Sequence, residues 1–180
     1  MSKEKLLEKL GSIFKEELWG RIEPKDIGIS KFKILDDLFN SIVIDGLVSD
    51  TSEKCLAHLD EHPDSITAAY LVGLCGYHTD RMENTRHLRK LIDIFLKNHK
   101  WAVVELLSEK VLEYGENSVA LRALATSLER LGRNREAIPV LENLLKIDRF
   151  DAEVSKKLAY AIMDDESDKS IHYMKLSIWQ

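Results

Sequence analysis

The chain has 180 residues, of which 44% are hydrophobic and 32% are charged, a balance typical of a folded and well-solvated protein. Lys and Arg number 26 and Asp and Glu number 31, so the formal net charge of −5 argues against direct binding to nucleic acid through bulk charge. The eight glycines and three prolines argue against a turn-rich all-β architecture. Composition therefore excludes several classes of protein but indicates no activity.

The cysteines and the apolar stretches indicate the compartment. Cys55 and Cys75 are too few for a disulfide framework, and their apolar helical surroundings indicate reduced core thiols. The first six residues carry charge where a signal peptide needs an apolar segment. The longest mostly apolar stretch, residues 68–77, is half of the roughly 20 residues that a membrane span needs. The sequence therefore predicts a cytoplasmic protein without membrane contact.

Apolar residues recur at three- and four-residue steps along almost the whole chain, which predicts helices. Leu6, Leu10 and Phe14 begin this pattern in an N-terminal helix, which with its linker occupies residues 1–31. Further helices are predicted to start near residues 32, 49, 65, 84, 100, 118, 134, 151 and 167. Residues 42–48 suit a hairpin with an Asp-Gly turn, but the helical spacing before them and the lack of partner strands favour a helix end.

Residues with particular backbone preferences mark the predicted helix ends. Glycines suited to the left-handed position after a helix are Gly46, Gly115 and Gly132. Predicted N-caps are Asn84, Asn117, Asn134 and Asp151, together with a capping box formed by Asp50 and Glu53. Pro139 falls inside a predicted helix, which either loses one hydrogen bond or starts later.

The spacing of these helices predicts the fold. The starts near residues 49, 84, 118 and 151 are separated by 35, 34 and 33 residues. A period near 34 that contains two helices is typical of a tetratricopeptide-type solenoid. We therefore predict an all-α, right-handed α-solenoid of about five tetratricopeptide-like helical pairs over residues 32–180, with degenerate repeats over residues 49–99.

Three short stretches resemble a narrower family. Residues 17–21, 96–101 and 113–121 are similar to the N-terminal helical extension of certain bacterial Gre-type transcription elongation factors. In that family the extension precedes a Gre module, which enters RNA polymerase and stimulates cleavage of backtracked RNA. The acidic-tipped coiled coil and the small C-terminal domain of that module are not found in this sequence. The resemblance implies a non-catalytic interaction segment of a longer polypeptide, whose partner is RNA polymerase or a transcription-associated protein. A free-standing adaptor or chaperone-like repeat protein is the first alternative.

Two basic sets, about one repeat apart, are the candidate partner-binding residues. The first set runs from Arg81 to Lys100 and supplies the candidates Arg86, Arg89 and Lys90; the second runs from Arg122 to Arg135 and supplies Arg122, Arg130 and Arg133. Because solenoids stack equivalent helices side by side, the two sets could form one stripe for an acidic partner. The other interpretation is an ordinary solvated helix face, since exposed charges usually contribute little binding energy.

Two motifs allow a second interpretation each. His58, Glu61 and His62 match the H-x-x-E-H pattern of some zinc peptidases, which makes a zinc hydrolase the second alternative. The end of a helix also favours histidines, and no third ligand is evident, so we predict no catalytic residue, metal or cofactor. Gly73 and Gly76 resemble a nucleic-acid-binding G-x-x-G loop, but their apolar neighbours favour close helix packing.

If the chain forms a solenoid, its C-terminal helix exposes an apolar edge. Ile171, Met174 and Ile178 lie on one face, followed by Trp179. Because solenoids need a polar-faced cap at their ends, we expect the polypeptide to continue or this edge to contact another chain, including a second copy.

Overall fold

The structure, a computed structural model, describes residues 2–19, 23–163 and 167–178. The described residues form α-helices joined by short links, with one 3₁₀ turn at Pro24–Asp26 and no strand. The helices are α1 (Lys3–Trp19), α2 (Ile29–Ile44), α3 (Val48–Glu61), α4 (Ile66–His78), α5 (Met82–Lys97), α6 (Trp101–Leu112), α7 (Ser118–Arg130), α8 (Asn134–Ile147), α9 (Ala152–Ile162) and α10 (Ser167–Ile178). The prediction of an all-α fold is confirmed for this part of the chain.

The helices follow the predicted spacing. Alternate helices α3, α5, α7 and α9 begin at Val48, Met82, Ser118 and Ala152, at steps of 34, 36 and 34 residues. Helix α3 packs against α4, α7 against α8 and α9 against α10, and the short links make these neighbours antiparallel. Tetratricopeptide-like helical hairpins are thus confirmed, whereas the count of five pairs and the right-handed superhelix stay predictions.

The chain divides into two compact units, Met1–Lys100 and Trp101–Gln180. The N-terminal unit contains α1 to α5, and the C-terminal unit contains α6 to α10. Helix α1 packs against α3 and α4 within the N-terminal unit. The predicted division after residue 31 stays a prediction.

Helix α4 forms the centre of the N-terminal unit. Every residue from Ile66 to Gly76 is buried, which agrees with a segment that is apolar on all sides. Tyr70 is fully buried, and its hydroxyl donates a hydrogen bond to Asp36 Oδ1 at 2.7 Å. The Phe32 ring meets Tyr70 edge-on, with centroids 5.0 Å apart. Aromatic packing and this hydrogen bond therefore join α2 to the buried helix.

Two glycines allow α4 and α5 to approach closely. A Cβ atom on Gly73 would lie 2.5 Å from Leu88 Cγ, and one on Gly76 would lie 2.7 Å from Asn84 Cβ. No real Cβ fits at such distances without movement of its neighbours. The packing interpretation of the G-x-x-G motif is therefore the one that the structure supports.

The C-terminal unit has a core of leucines and small residues, as the periodicity predicts. Leu141 and Leu158 are fully buried, together with Ala137. Leu121, Leu124, Leu128 and Leu144 are buried in the same cluster. Pro139 lies inside α8 rather than before it, so this helix accepts the loss of one backbone donor.

The helix ends correct part of the capping prediction. Asn117 and Asp151 are N-caps, as predicted. The Asn117 side chain accepts a hydrogen bond from the Ala120 N–H group, and the Asp151 side chain accepts one from the Val154 N–H group.

Three other predicted caps are wrong. Asn84 is not a cap, because α5 begins earlier, and its buried side-chain amide donates a hydrogen bond to Ser52 Oγ at 3.3 Å. Helix α8 also begins one residue early, with Arg133 rather than Asn134 as its N-cap. The N-cap of α3 is Leu47, which places Asp50 in the first turn and removes the predicted capping box. Gly46 and Gly132 adopt φ of 68° and 76°, as predicted.

Candidate protein-interaction surface

The six predicted basic residues are divided between the two units. Arg86, Arg89 and Lys90 lie on α5 of the N-terminal unit, whereas Arg122 and Arg130 lie on α7 and Arg133 lies at the start of α8 in the C-terminal unit. The continuity of the two sets as one stripe stays a prediction. The local surroundings of the sets nevertheless differ in a way that separates their roles.

Arg122 and Arg133 bind carboxylates of their own unit. The Arg122 guanidinium donates a hydrogen bond to Asp151, the N-cap of α9. Arg133 donates to Glu105 on α6 at 2.6 Å and to Glu136 on α8 at 2.6 Å. These two arginines join neighbouring helices, which reduces the charge that they offer to a partner.

Arg130 is also engaged within the C-terminal unit. Its guanidinium lies over the Trp101 ring, 5.8 Å from the ring centroid. This distance suits a cation–π contact, and it joins the end of α7 to the start of α6. Trp101 therefore opens α6 and its ring contacts the last residue of α7.

The N-terminal basic set is less engaged. Arg86 and Lys90 are exposed, and neither side chain forms an ion pair or a hydrogen bond with another side chain or the backbone within residues 2–19, 23–163 and 167–178. They lie four residues apart, which places both on one face of α5. His87 lies between them in sequence. Burial lowers the pKa of His87, and the charges of Arg86 and Lys90 lower it further. Of the predicted residues, this pair presents the most accessible positive charge.

Arg86 and Lys90 border a groove of about 190 Å³, which we call the α3–α5 groove. It lies between the end of α3, the link that follows it and α5. Its apolar lining includes Leu56, Leu59, Ala69, Leu91 and Ile94, which we call the floor. Asp60 and Asp64 also line the groove, from the end of α3 and the link, whereas the two cations belong to α5. The α3–α5 groove thus combines an apolar floor with one basic and one acidic wall.

The buried carboxylate of Glu17 fixes one border of this groove, and sequence reasoning missed it. Glu17 is 8% exposed and lies on α1. It accepts hydrogen bonds from the Ser65 hydroxyl at 3.0 Å and from the Ile66 and Thr67 N–H groups at 2.9 and 3.1 Å. Lys31 Nζ lies 3.7 Å from the same carboxylate. Ser65 lines the groove, so α1 holds the start of α4 in place there.

The H-x-x-E-H motif has a packing role in the structure. The His58 ring stacks flat on Phe14 of α1, with centroids 3.9 Å apart and an interplanar angle of 4°. The His62 ring lies 4.8 Å from His58. Burial lowers the pKa of His58, and the neighbouring His62 lowers it further. Over the described part of the chain, no three His, Cys, Asp or Glu side chains come together as a metal site requires.

Some of the predicted features lie outside the described residues. Residues 20 and 21, which end the 17–21 stretch, are among them, as is Trp179 at the C-terminal edge. Within the described helices, none has the length and apolar character that crossing a membrane requires.

The comparisons with known proteins give two relatives. The chain is 33% identical over 180 residues to a protein named Transcription elongation factor GreA from Borreliella burgdorferi, covering all of this chain and 20% of that protein. It is 31% identical over 151 residues to a Putative GreA-associated domains protein from Treponema pallidum, covering 83% of this chain and 23% of that protein. The chain thus spans about a fifth of the length of each relative. No protein-family model matches it.

Solved structures are also similar to this chain. The structures named MamA AMB-1 and MamA MSR-1 are 17% and 18% identical to it, with TM-scores of 0.49 and 0.43. They cover 84% and 80% of this chain, and 92% and 91% of their own chains. The two sequence relatives confirm the resemblance to Gre-associated proteins, and the alignments cover all of this chain in the first relative and 83% of it in the second.

Proposed function

We propose that this chain is a non-catalytic protein–protein interaction module of a bacterial, cytoplasmic Gre-type transcription elongation factor. One observation carries the proposal: all 180 residues align, at 33% identity, with 20% of a protein named Transcription elongation factor GreA. An alignment over one fifth of a longer protein suits a segment that positions or recruits the rest. Helical hairpins suit this role, because stacked helices present extended surfaces to a partner.

RNA polymerase or a protein associated with transcription is the proposed partner. The six basic residues supply candidate contacts for acidic surfaces of that partner, and Arg86 and Lys90 are the most accessible of them. Contacts made by such charges steer association and are weakened by salt. Binding is therefore expected to weaken as the ionic strength rises.

The state of the reactive side chains supports a role without catalysis. Cys55 and Cys75 are fully buried, and burial raises the pKa of Cys75 to about 12 and that of Cys55 still further. Such thiols are poor nucleophiles, because the thiolate is the reactive form. His58 is stacked on Phe14 rather than presented to a substrate.

Co-elution on a size-exclusion column tests the proposal. The purified chain is mixed with bacterial core RNA polymerase at low salt and, separately, with a large acidic protein of unrelated function. We expect the chain to shift to the polymerase peak and not to the control peak. Elution at its own volume in both mixtures, at concentrations of tens of micromolar, would favour the free-standing adaptor instead.

Self-association through the C-terminal edge is a second candidate function, and two side chains favour it. Ile178 is 77% exposed and Ile171 is 52% exposed on α10, where isoleucines are normally covered. Sedimentation velocity of the wild-type chain and of the Ile171→Ser, Ile178→Ser variant tests it. We expect a concentration-dependent larger species only for the wild type; a wild-type monomer at all concentrations would reject this candidate.

A further inference from the structure

We propose that the α3–α5 groove binds a segment of a protein partner that carries one aliphatic side chain next to a carboxylate. The carboxylate would meet Arg86 and Lys90, and the aliphatic side chain would enter the groove. The identity of the partner as RNA polymerase rests on the proposed function, whereas the chemistry of the groove does not.

The contrast between the two basic sets supports a carboxylate as the group that binds to Arg86 and Lys90. Arg122 and Arg133 already bind acidic residues of their own unit, but Arg86 and Lys90 form no such pair with any described residue. Two unpaired cations on one helix face favour an anionic group and can form charge-assisted hydrogen bonds with it. Because burial and the two cations lower the pKa of His87, this residue is neutral near pH 7 and adds no charge to the wall.

The size and lining of the groove support the insertion of one aliphatic side chain of the partner. Its volume of about 190 Å³ is below the roughly 300–1,000 Å³ of pockets that hold drug-sized ligands and cofactors. Leu56 and Ile94 are only half-buried, so the floor still exposes apolar surface. One inserted side chain would remove that surface from water, which is the usual role of an anchor residue at an interface.

The acidic wall gives the bound segment a direction. Asp60 and Asp64 line the groove from α3 and the link rather than from α5, so a carboxylate on that side would be repelled. The partner segment is therefore expected to place its acidic end against α5 and a neutral or basic end against the link after α3. The groove discriminates by charge as well as by shape.

The groove is already formed in the absence of a partner. Glu17 holds Ser65 and the first turn of α4, and Gly73 and Gly76 bring α5 against α4. Its floor and its basic wall therefore stand on packed helices rather than on loops. A preorganised groove of this kind avoids part of the ordering cost of binding.

Charge reversal tests the groove against the proposed partner. The double variant Arg86→Glu, Lys90→Glu is compared with wild type for binding to immobilised core RNA polymerase by biolayer interferometry. We expect an affinity at least about tenfold weaker, because two favourable contacts become repulsive. The matched control, Arg81→Glu, Lys97→Glu, makes the same change in net charge at the N-cap and the last residue of α5, both exposed and outside the groove, and is expected to stay within about twofold of wild type. Equal affinity of wild type and the groove variant would overturn the proposal while leaving the proposed function in place.

A peptide titration tests the groove without the polymerase. The probe is an acetylated and amidated peptide, Gly-Ser-Glu-Leu-Ser-Ser-Gly, which is acidic on one side of Leu only; it is added to the ¹⁵N-labelled chain and followed by NMR. We expect saturable shifts at Leu56, Ala69 and Ile94 with a Kd near the millimolar range, and at least about fivefold weaker binding when Leu becomes Ala or Glu becomes Lys. Absence of shifts at these residues would overturn the proposal. Shifts here together with no polymerase binding would retain the groove and reject the proposed function.

Discussion

The carboxylate of Glu17 accepts a hydrogen bond from the Ser65 hydroxyl, 48 residues later in the chain, at 3.0 Å. The same carboxylate accepts the Ile66 and Thr67 N–H groups, and Ser65 Oγ accepts the Ala68 N–H at 3.2 Å. The first turn of a buried helix is thereby fully satisfied from inside the protein. A negative charge is also favourable at the start of a helix. This contact joins α1 to α4 and holds the border of the α3–α5 groove.

Replacing Glu17 with Ala is expected to lower the free energy of unfolding by about 2–3 kcal/mol, because buried N–H groups of α4 lose a charged acceptor. Urea unfolding followed by circular dichroism measures the loss. Glu16→Ala on the exposed side of α1 is the control, with an expected change below about 0.5 kcal/mol. A double-mutant cycle with Ser65→Ala is expected to give a coupling energy of at least about 0.5 kcal/mol. Strict additivity would show that the two side chains act independently.

Gly76→Ala is expected to destabilise the chain by about 1–3 kcal/mol, because the new methyl group would lie 2.8 Å from the backbone nitrogen of Thr85. A backbone atom in a packed helix cannot move aside as a flexible side chain can. Gly11→Ala is the matched control, since nothing lies within 4 Å of a Cβ there and α1 gains about 0.5–1 kcal/mol of helix propensity. Thermal melting of both variants tests this: the melting temperature is expected to fall for Gly76→Ala and to rise for Gly11→Ala. Equal effects on the melting temperature would contradict the close packing of α4 and α5.

Asp151 links pH to the stability of the C-terminal unit. Burial raises the pKa of Asp151, but hydrogen bonds from the Val154 N–H and from Arg122 lower it by more, so the pKa lies below its ordinary value. A depressed carboxyl pKa contributes stability that is present above the unfolded pKa, about 4, and lost as the pH falls through the folded pKa.

Asp151→Asn keeps an oxygen that can cap α9 but cannot titrate. We expect this variant to lose less stability than wild type between pH 5 and about 2, as measured by urea unfolding across that range. Asp151→Ala is expected to cost about 1 kcal/mol at pH 7 through loss of the cap. Identical pH profiles for wild type and the Asn variant would show that Asp151 does not carry this dependence.

His58 gives a test of packing against metal binding. Because the pKa of His58 is lowered, its contribution to stability is present above about pH 6.5 and is lost as the pH falls through the folded pKa. His58→Phe should preserve the stack on Phe14 and flatten the stability profile between pH 7 and 5. The zinc content of protein purified without chelator is measured in parallel. We expect well below one zinc per chain; one zinc per chain that is lost in the variant would establish the metal site instead.

The sequence was informative where local periodicity determines structure. The predicted helix start near residue 118 coincides with that of α7, and the start near residue 134 is within one residue of that of α8, because leucines and alanines at helical spacing define the buried faces. The predicted start of α5, near residue 84, is later than the observed start at Met82. Asp80, with φ of 54°, ends the preceding turn, so the helix begins before Asn84. Propensity for a cap was overridden there by tertiary packing.

Contacts between distant residues could not be predicted from periodicity. Glu17 looks like any charged residue on an amphipathic helix, and only the fold brings Ser65 to it. The same is true of the predicted basic residues. Arg122 and Arg86 have the same chemistry in sequence, but Asp151 reaches only the former. The α3–α5 groove depends on three separate segments, so its floor and walls became visible only in three dimensions.

The affinity of the purified chain for core RNA polymerase is the measurement that tests the central claim most directly. We expect saturable binding in the micromolar range that weakens with salt, and no stimulation of the cleavage of backtracked RNA by the chain alone. Absence of binding at low salt, in an assay where an established polymerase-binding protein binds, would contradict the proposal that the chain is an interaction module for RNA polymerase. Stimulated RNA cleavage by the chain alone would contradict its non-catalytic role.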